Sequence, residues 1–195
     1  MYRVKGLLMK RNQVILIYGL PASGKYTMAK QIQEKCGGIL LDNHYFYDMF
    51  QNIVKIPQES KQEYFRKVGE LRNVFLDIVK RFHSNETTTR FIFTSTLLGD
   101  EDFPNILEKF AKDLCADFIT IGLSVSDDIL LNRCDTEYRK SRKKISNVEK
   151  YSKLLPDMKT KQIKCSNKNN LILDTDNMSE QQTFEQIQKD LKQFD

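Results

Sequence analysis

A chain of 195 residues with 40% hydrophobic and 29% charged side chains can bury one substantial core, and its composition excludes general disorder and a fibrous architecture. The net charge of +5 is uneven: between residues 139 and 168 eleven Lys and Arg face only Glu149 and Asp157, so the remainder is net acidic. That pattern points to a local anion site more than to a general polyanion-binding face. No apolar run approaches the roughly 20 residues that span a bilayer, and the basic N-terminal stretch lacks the pattern of a secretory leader. Cys36, Cys115, Cys134 and Cys165 are scattered, with no Cys-x-x-Cys spacing and no His pair nearby. A cytoplasmic protein with free thiols is therefore expected, with neither a zinc site nor a disulfide framework.

After an extension over residues 1–12, a single domain is expected over 13–195. Val14 to Tyr18 is a short β-branched run ending at Gly19 and reads as a buried strand. A helix over Lys25 to Cys36 keeps Met28, Ala29, Ile32 and Cys36 on one face and stops at Gly37-Gly38. Ile39 to Leu41 is a second strand, ending in Asp42-Asn43-His44. After Pro57, apolar residues from Tyr64 to Phe82 recur at three- and four-residue spacing. They predict a long helix whose stripe is a core face, weakened slightly by Gly69. Phe91 to Thr94 is a third strand, Asp102 to Leu114 a helix, and Phe118 to Val125 a fourth strand. Ser126 with Asp127 and Asp128 starts another helix. Leu171 to Leu173 is the last strand, and Ser179 with Gln182 forms a capping box before a closing helix. Strands alternating with helices imply an α/β fold, a parallel sheet of about five strands covered on both faces.

Three features carry chemistry. The turn GLPASGKYT, between a strand and a helix, reads as a phosphate cradle: Gly19, Ala22, Ser23 and Gly24 bring backbone N–H groups near an anion at a helix N-terminus, and Lys25 reaches the outer phosphates. The strict pattern G-x-x-x-x-G-K-[ST] fails, because Tyr26 stands where a magnesium-binding hydroxyl is usual and Thr27 supplies one a position later. The second feature is Asp42 with His44, set by a short strand at the carboxyl edge of the sheet, where ligands of open α/β folds bind. Either is a candidate base, and the alternatives are a helix cap for Asp42 and a local hydrogen bond for His44. The third is the basic run with Arg133, Arg139 and Arg142, among Lys140, Lys143 and Lys144. A solvated face is the plain reading, and a local anion site the functional one. Tyr45, Phe46 and Tyr47 are read as core.

GLPASGKYT resembles the loop of small P-loop kinases related to adenylate, shikimate and gluconate kinases, and most closely bacterial shikimate-kinase-like ATPases with a bulky residue before the threonine. Thr27 matches the threonine of adenylate kinases, whereas Tyr26 departs from both patterns. The resemblance implies a three-layer P-loop NTPase fold with a short basic lid at about 135–168. It implies that ATP and Mg2+ are bound, with Thr27 and Asp42 near the metal, Asp42 or His44 at the acceptor, and Arg133 and Arg142 on the moving charge. Asp174 and Thr175 resemble the segment near the adenine. Phe91 to Thr96 offers no carboxylate where a second magnesium-holding acid is often found. The expected activity is phosphoryl transfer from a nucleoside triphosphate to a small-molecule hydroxyl. The alternatives are a polynucleotide or tRNA kinase, in which the basic run tracks a phosphate backbone, and a non-catalytic nucleotide-binding regulatory protein.

Overall fold

A computed structural model describes residues 11–51, 53–55, 57–83, 88–98, 102–141 and 144–194. Five strands form one parallel sheet in the order β2-β3-β1-β4-β5. They are β1 (Gln13–Tyr18), β2 (Ile39–Asp42), β3 (Arg90–Ser95), β4 (Asp117–Ser124) and β5 (Asn170–Asp174). Between and after them run α1 (Lys25–Cys36), α2 (His44–Gln51), α3 (Lys61–Phe82), α4 (Asp102–Asp113), α5 (Asp127–Cys134), α6 (Glu137–Ser141), α7 (Val148–Lys161) and α8 (Glu180–Leu191).

The period of two in β1 distributes its side chains between the two faces of the sheet. Val14, Leu16 and Tyr18 join Phe103, Leu107 and Phe110 of α4 on one face. Ile15 and Ile17 join Met28, Ala29 and Ile32 of α1 and Phe184, Ile187 and Leu191 of α8 on the other. Each such fully buried side chain contributes about 1.5–3 kcal/mol. All six residues of β1 and of β3 are buried, as central strands covered by helices on both faces must be.

The neighbours β1 and β3 leave the sheet in opposite directions, β1 through α1 on one face and β3 through α4 on the other. Their carboxyl ends therefore diverge and open a crevice at the position where α/β sheets bind ligands. The capping box at α8 forms as expected, with Gln182 N–H donating to Ser179 Oγ and Ser179 N–H to Gln182 Oε1. Ser126 is the N-cap of α5 by position, although its side chain makes no capping hydrogen bond.

Two expectations are corrected. The stripe on α3 is only partly core: Val68, Arg72 and Leu76 form its buried line, whereas Phe65 and Ile78 are about half exposed and Phe82 more so. Apolar residues wrap further round this helix than the sheet can cover. Gly69, near its middle, costs about 1 kcal/mol relative to alanine. The aromatic run Tyr45 to Tyr47 lies on α2, and only Phe46 is buried; Tyr45 is exposed and Tyr47 faces the crevice. Cys134 and Cys165 are buried free thiols, and Cys36 and Cys115 are free as well. No helix among the described residues is long and apolar enough to cross a membrane.

Candidate active site

A cleft of about 1350 Å³ lies at the carboxyl ends of β1, β2 and β3, and the turn between β1 and α1 forms its floor. Close packing and backbone geometry make that turn what it is. A Cβ on Gly19 would fall 2.8 Å from the carbonyl oxygen of Leu123 on β4, so only glycine lets the loop leave β1 so near its neighbour. Gly24, the N-cap of α1, has φ 95°, and Ala22 holds a left-handed φ of 67°, a conformation that costs a non-glycine residue about 1–2 kcal/mol. The loop closes on itself through Ser23 N–H to Leu20 O at 3.2 Å. The first N–H groups of α1 lack intrahelical partners and, with the helix dipole, favour an anion at this end.

Lys25 Nζ donates to Leu20 O at 2.7 Å and lies 3.5 Å from Ser23 Oγ. Its pKa falls to about 7, chiefly because the cleft desolvates it, then because Arg139 and Lys144 repel its charge, against a smaller opposing pull from Asp42. Arg139 is held by two donations, from Nε and Nη2, to Ile145 O at 2.9 and 2.8 Å. Lys144 lies over the Tyr26 ring, 4.9 Å from its centroid, and Tyr26 itself packs partly against the α1–α8 core. The turn between β1 and α1 thus gathers three cations, Lys25, Arg139 and Lys144.

Asp42 ends β2 almost wholly buried. Its Oδ1 accepts from Thr94 Oγ1 at 2.6 Å and from the backbone N–H of His44 at 3.4 Å, while Oδ2 is buried with no partner. Thr94, Ser95 and Thr96, at the end of β3 where the sequence offers no acid, line the same cleft. They brace Asp42 and the turn: Ser95 Oγ accepts from the N–H of Leu97, whose φ is 52°.

The basic segment divides into two groups. Arg133, Arg139 and Lys144 line the cleft. Lys140 pairs with Asp135 and Glu137, Lys153 with Glu149, Lys159 with Asp127 and Lys161 with Asp157. Helix α7 packs beneath the loop: Tyr151 and Leu155 join Leu20, Leu130 and Cys134 in a third apolar cluster. The fully buried Tyr151 donates its hydroxyl proton to Pro21 O at 2.6 Å. Just beyond α7, Ile163 N–H donates to Leu97 O at 3.1 Å.

Of the candidate residues, Ala22, Ser23, Gly24, Lys25, Tyr26, Thr27, Asp42, His44, Arg133 and Thr175 line one cleft. Gly19 sits below it as a packing residue, and Asp174 Oδ1 accepts the N–H of Asp176. Arg142 lies outside the described residues. Arg139 and Lys144 belong to the cleft, although nothing local singles them out within the basic run. Thr94, Ser95 and Thr96 are legible as hydroxyls at the end of β3, but the contact of Thr94 with Asp42 and the place of Arg72 are not, since nothing in a sequence announces that a strand threonine will meet a carboxylate 52 residues away.

No family model matches the chain, and no curated protein matches it. Solved structures do. A protein from Chloroflexus aurantiacus, provisionally assigned as a kinase, superposes with TM-score 0.66 at 16% identity, over 93% of this chain and 100% of its own. A gluconokinase from Sinorhizobium meliloti gives 0.56 at 13%, over 94% of each chain. Shikimate kinase from Aquifex aeolicus gives 0.54 at 16%, over 93% and 97%. Strand order, the loop after β1 and these likenesses agree that the chain has the fold of the small P-loop kinases.

Proposed function

We propose that this protein transfers the γ-phosphoryl group of ATP to a hydroxyl of a small molecule. The observation that carries the reading is the gathering of Lys25, Arg139 and Lys144 around a glycine-turned loop, where burial first and repulsion by the other two cations second bring the Lys25 pKa down to about 7. Cations gathered at such cost are relieved by a polyanion. Arg133, at the same cleft, adds a planar donor suited to phosphate oxygens. Catalysis of this kind is mainly positioning and charge stabilisation. The acceptor hydroxyl gives its proton to Asp42 Oδ2 as its oxygen bonds to the γ-phosphorus. The bond from that phosphorus to the β-γ bridging oxygen breaks, and the charge left on ADP and on the transferring group is taken up by Lys25, Arg139 and Arg133. Arg142 is proposed for the same work. His44 stands beside Asp42 and is the second candidate for the acceptor proton.

Oxygen-bearing residues at the site fit magnesium: Thr27 and Asp42 line one cleft, where Thr27 would ligate the ion and Asp42 would anchor waters around it. Among the described residues no three His, Cys, Asp or Glu cluster, which suits an ion held by phosphates, waters and one or two protein oxygens. When bound, it would neutralise phosphate charge. Tyr26 supports the loop through its ring and leaves that role to Thr27 and Asp42.

A nucleic-acid acceptor is less favoured because Lys140, Lys153, Lys159 and Lys161 are engaged by carboxylates. The test is ATP consumption by the purified chain, with magnesium, against sugars, nucleotides, hydroxy acids and antibiotics, repeated across salt concentrations. Stimulation by a small hydroxyl compound with weak salt dependence supports the proposal. Turnover only with polynucleotides, falling steeply with salt, or ATP binding without turnover on any acceptor, refutes it.

A further inference from the structure

Asp42 ends β2, and Thr94 stands beside it on β3 as its partner in the parallel register. Neighbouring strands lie about 4.8 Å apart, so a short carboxylate and a hydroxyl at the same level can meet: Thr94 Oγ1 donates to Asp42 Oδ1 at 2.6 Å. Both residues are buried and both line the cleft. A threonine in a strand is stiff at χ1, so the direction of that donation is set by the strand itself.

The contact is one-sided. Thr94 and the backbone N–H of His44 both donate to Oδ1, while Oδ2 is buried with no partner. Leaving a buried carboxylate oxygen unmatched is expensive, and a cation that could match it is near. The charge of Asp42 is felt at Lys25, where it opposes loss of the ammonium proton. Among the described residues, however, Asp42 makes no ion pair, and Lys25 Nζ donates to Leu20 O instead. Two neutral groups therefore keep opposite charges apart in one cleft, Leu20 O holding the ammonium and Thr94 the carboxylate. The outer torsion of an aspartate is soft, so without the Thr94 hydroxyl the carboxylate would be free to turn toward the cation.

We propose that Thr94 is a positioning residue, which fixes the Asp42 carboxylate through Oδ1 so that Oδ2 stays off Lys25 and free for the acceptor proton. Thr94 acts through Asp42 and not on the reacting atoms. A hydroxyl suits the place, because a second carboxylate beside Asp42 would compete with it for one proton, whereas threonine orients the base and adds no charge. The proposal rests on the phosphoryl-transfer reading, since a base needs orienting only where a proton is taken.

The test follows ATP turnover with magnesium by the full chain, with water alone and with sugars, nucleotides and hydroxy acids as acceptors, beside calorimetric binding of a non-hydrolysable ATP analogue. Thr94→Val keeps the shape of the side chain and removes the donor. It lowers kcat about tenfold or more, as expected when a reacting group loses its alignment, while KM and affinity for the analogue change several-fold less. Thr94→Ser restores the donor and most of kcat. The double variant Thr94→Val, Asp42→Asn is no slower than Asp42→Asn alone, because a residue that acts only through Asp42 has nothing left to position. A threonine kept only for folding would lower the melting temperature and leave kcat unchanged well below it. Thr94→Ala carries the same predictions if Thr94→Val does not fold. Unchanged kcat in Thr94→Val, no recovery in Thr94→Ser, a further loss in the double variant, or loss of analogue binding in step with kcat overturns this proposal alone. A wild type that binds the analogue and turns over no ATP with any acceptor overturns the phosphoryl-transfer reading and this proposal with it.

Discussion

Replacing Lys25 with Met keeps the side-chain stem and removes the charge, so it isolates the cost of holding a cation there, set first by burial and then by repulsion from Arg139 and Lys144. An unfolded lysine holds its proton to about 10.5, whereas Lys25 in the folded protein releases it near 7. At about 1.4 kcal/mol per pH unit the difference has a ceiling of about 5 kcal/mol. Solvent entering an open cleft reduces the realised penalty to about 2–3 kcal/mol, and loss of the bond to Leu20 O offsets about 1 kcal/mol of the gain. Below pH 7 both states hold the proton and the penalty is full. Between 7 and 10.5 the unfolded chain binds more protons, so wild-type stability rises with pH. Lys25→Met without ligand should therefore melt about 2–8 °C higher than wild type at pH 6, at about 2–4 °C per kcal/mol, and the advantage should shrink steadily by pH 10. Differential scanning calorimetry across that range provides the assay. ATP with magnesium should stabilise wild type by about 2.7 kcal/mol at a hundredfold excess over Kd and leave Lys25→Met almost unmoved. A variant less stable at every pH, or one that keeps the ATP shift, refutes the reasoning.

Arg139→Ala should lower kcat by about 10²-fold or more with nucleotide affinity changed far less, since a charge acting in the transition state is worth about 3 kcal/mol. Lys140→Ala should leave both unchanged, because Lys140 is paired with Asp135 and Glu137; steady-state kinetics beside equilibrium titration separates the two. Tyr151→Phe removes the hydroxyl that holds Pro21 O. It should cost about 1–2 kcal/mol in urea unfolding and weaken ATP binding by loosening the loop, whereas unchanged stability and affinity would show that α7 does not support it.

The framework of the fold was legible because its signals are local. β1 alternates residues between two apolar clusters, α1 ends at Gly37, and α8 begins at a capping box. The loop was legible for the same reason, its glycines and Lys25 being consecutive. A helix after β2 entered only as the alternative in which Asp42 caps it, and the aromatic run Tyr45 to Tyr47 was not assigned to α2 because it follows β2 so closely and has the composition of a strand end. Helix α7 was missed because Pro156 and a dense charge run obscure the spacing of Tyr151, Leu155 and Met158. The site's supporting contacts were beyond reach for a different reason. Thr94 on Asp42, Tyr151 on Pro21 and Arg72 on Phe103 join residues from distant elements, so only the sheet order brings them together. Tyr26 broke a local rule at the loop, and its place under Lys144 gives the ring a supporting part that the motif could not supply.

The claim that Asp42, and not a hydroxyl on the residue after the lysine, completes the catalytic site is tested most directly by one measurement. Transfer of radiolabelled γ-phosphate from ATP to an accepted hydroxyl compound is followed in wild type, Asp42→Asn and Tyr26→Ser under the same magnesium concentration. The account predicts turnover in wild type, a fall of about 10²–10⁴-fold in Asp42→Asn with ATP still bound, the range for loss of a general base, and a change in Tyr26→Ser smaller than tenfold. A wild type that transfers no phosphate while Tyr26→Ser alone restores ATP hydrolysis would contradict it, and would make this chain a nucleotide-binding protein disabled at Tyr26.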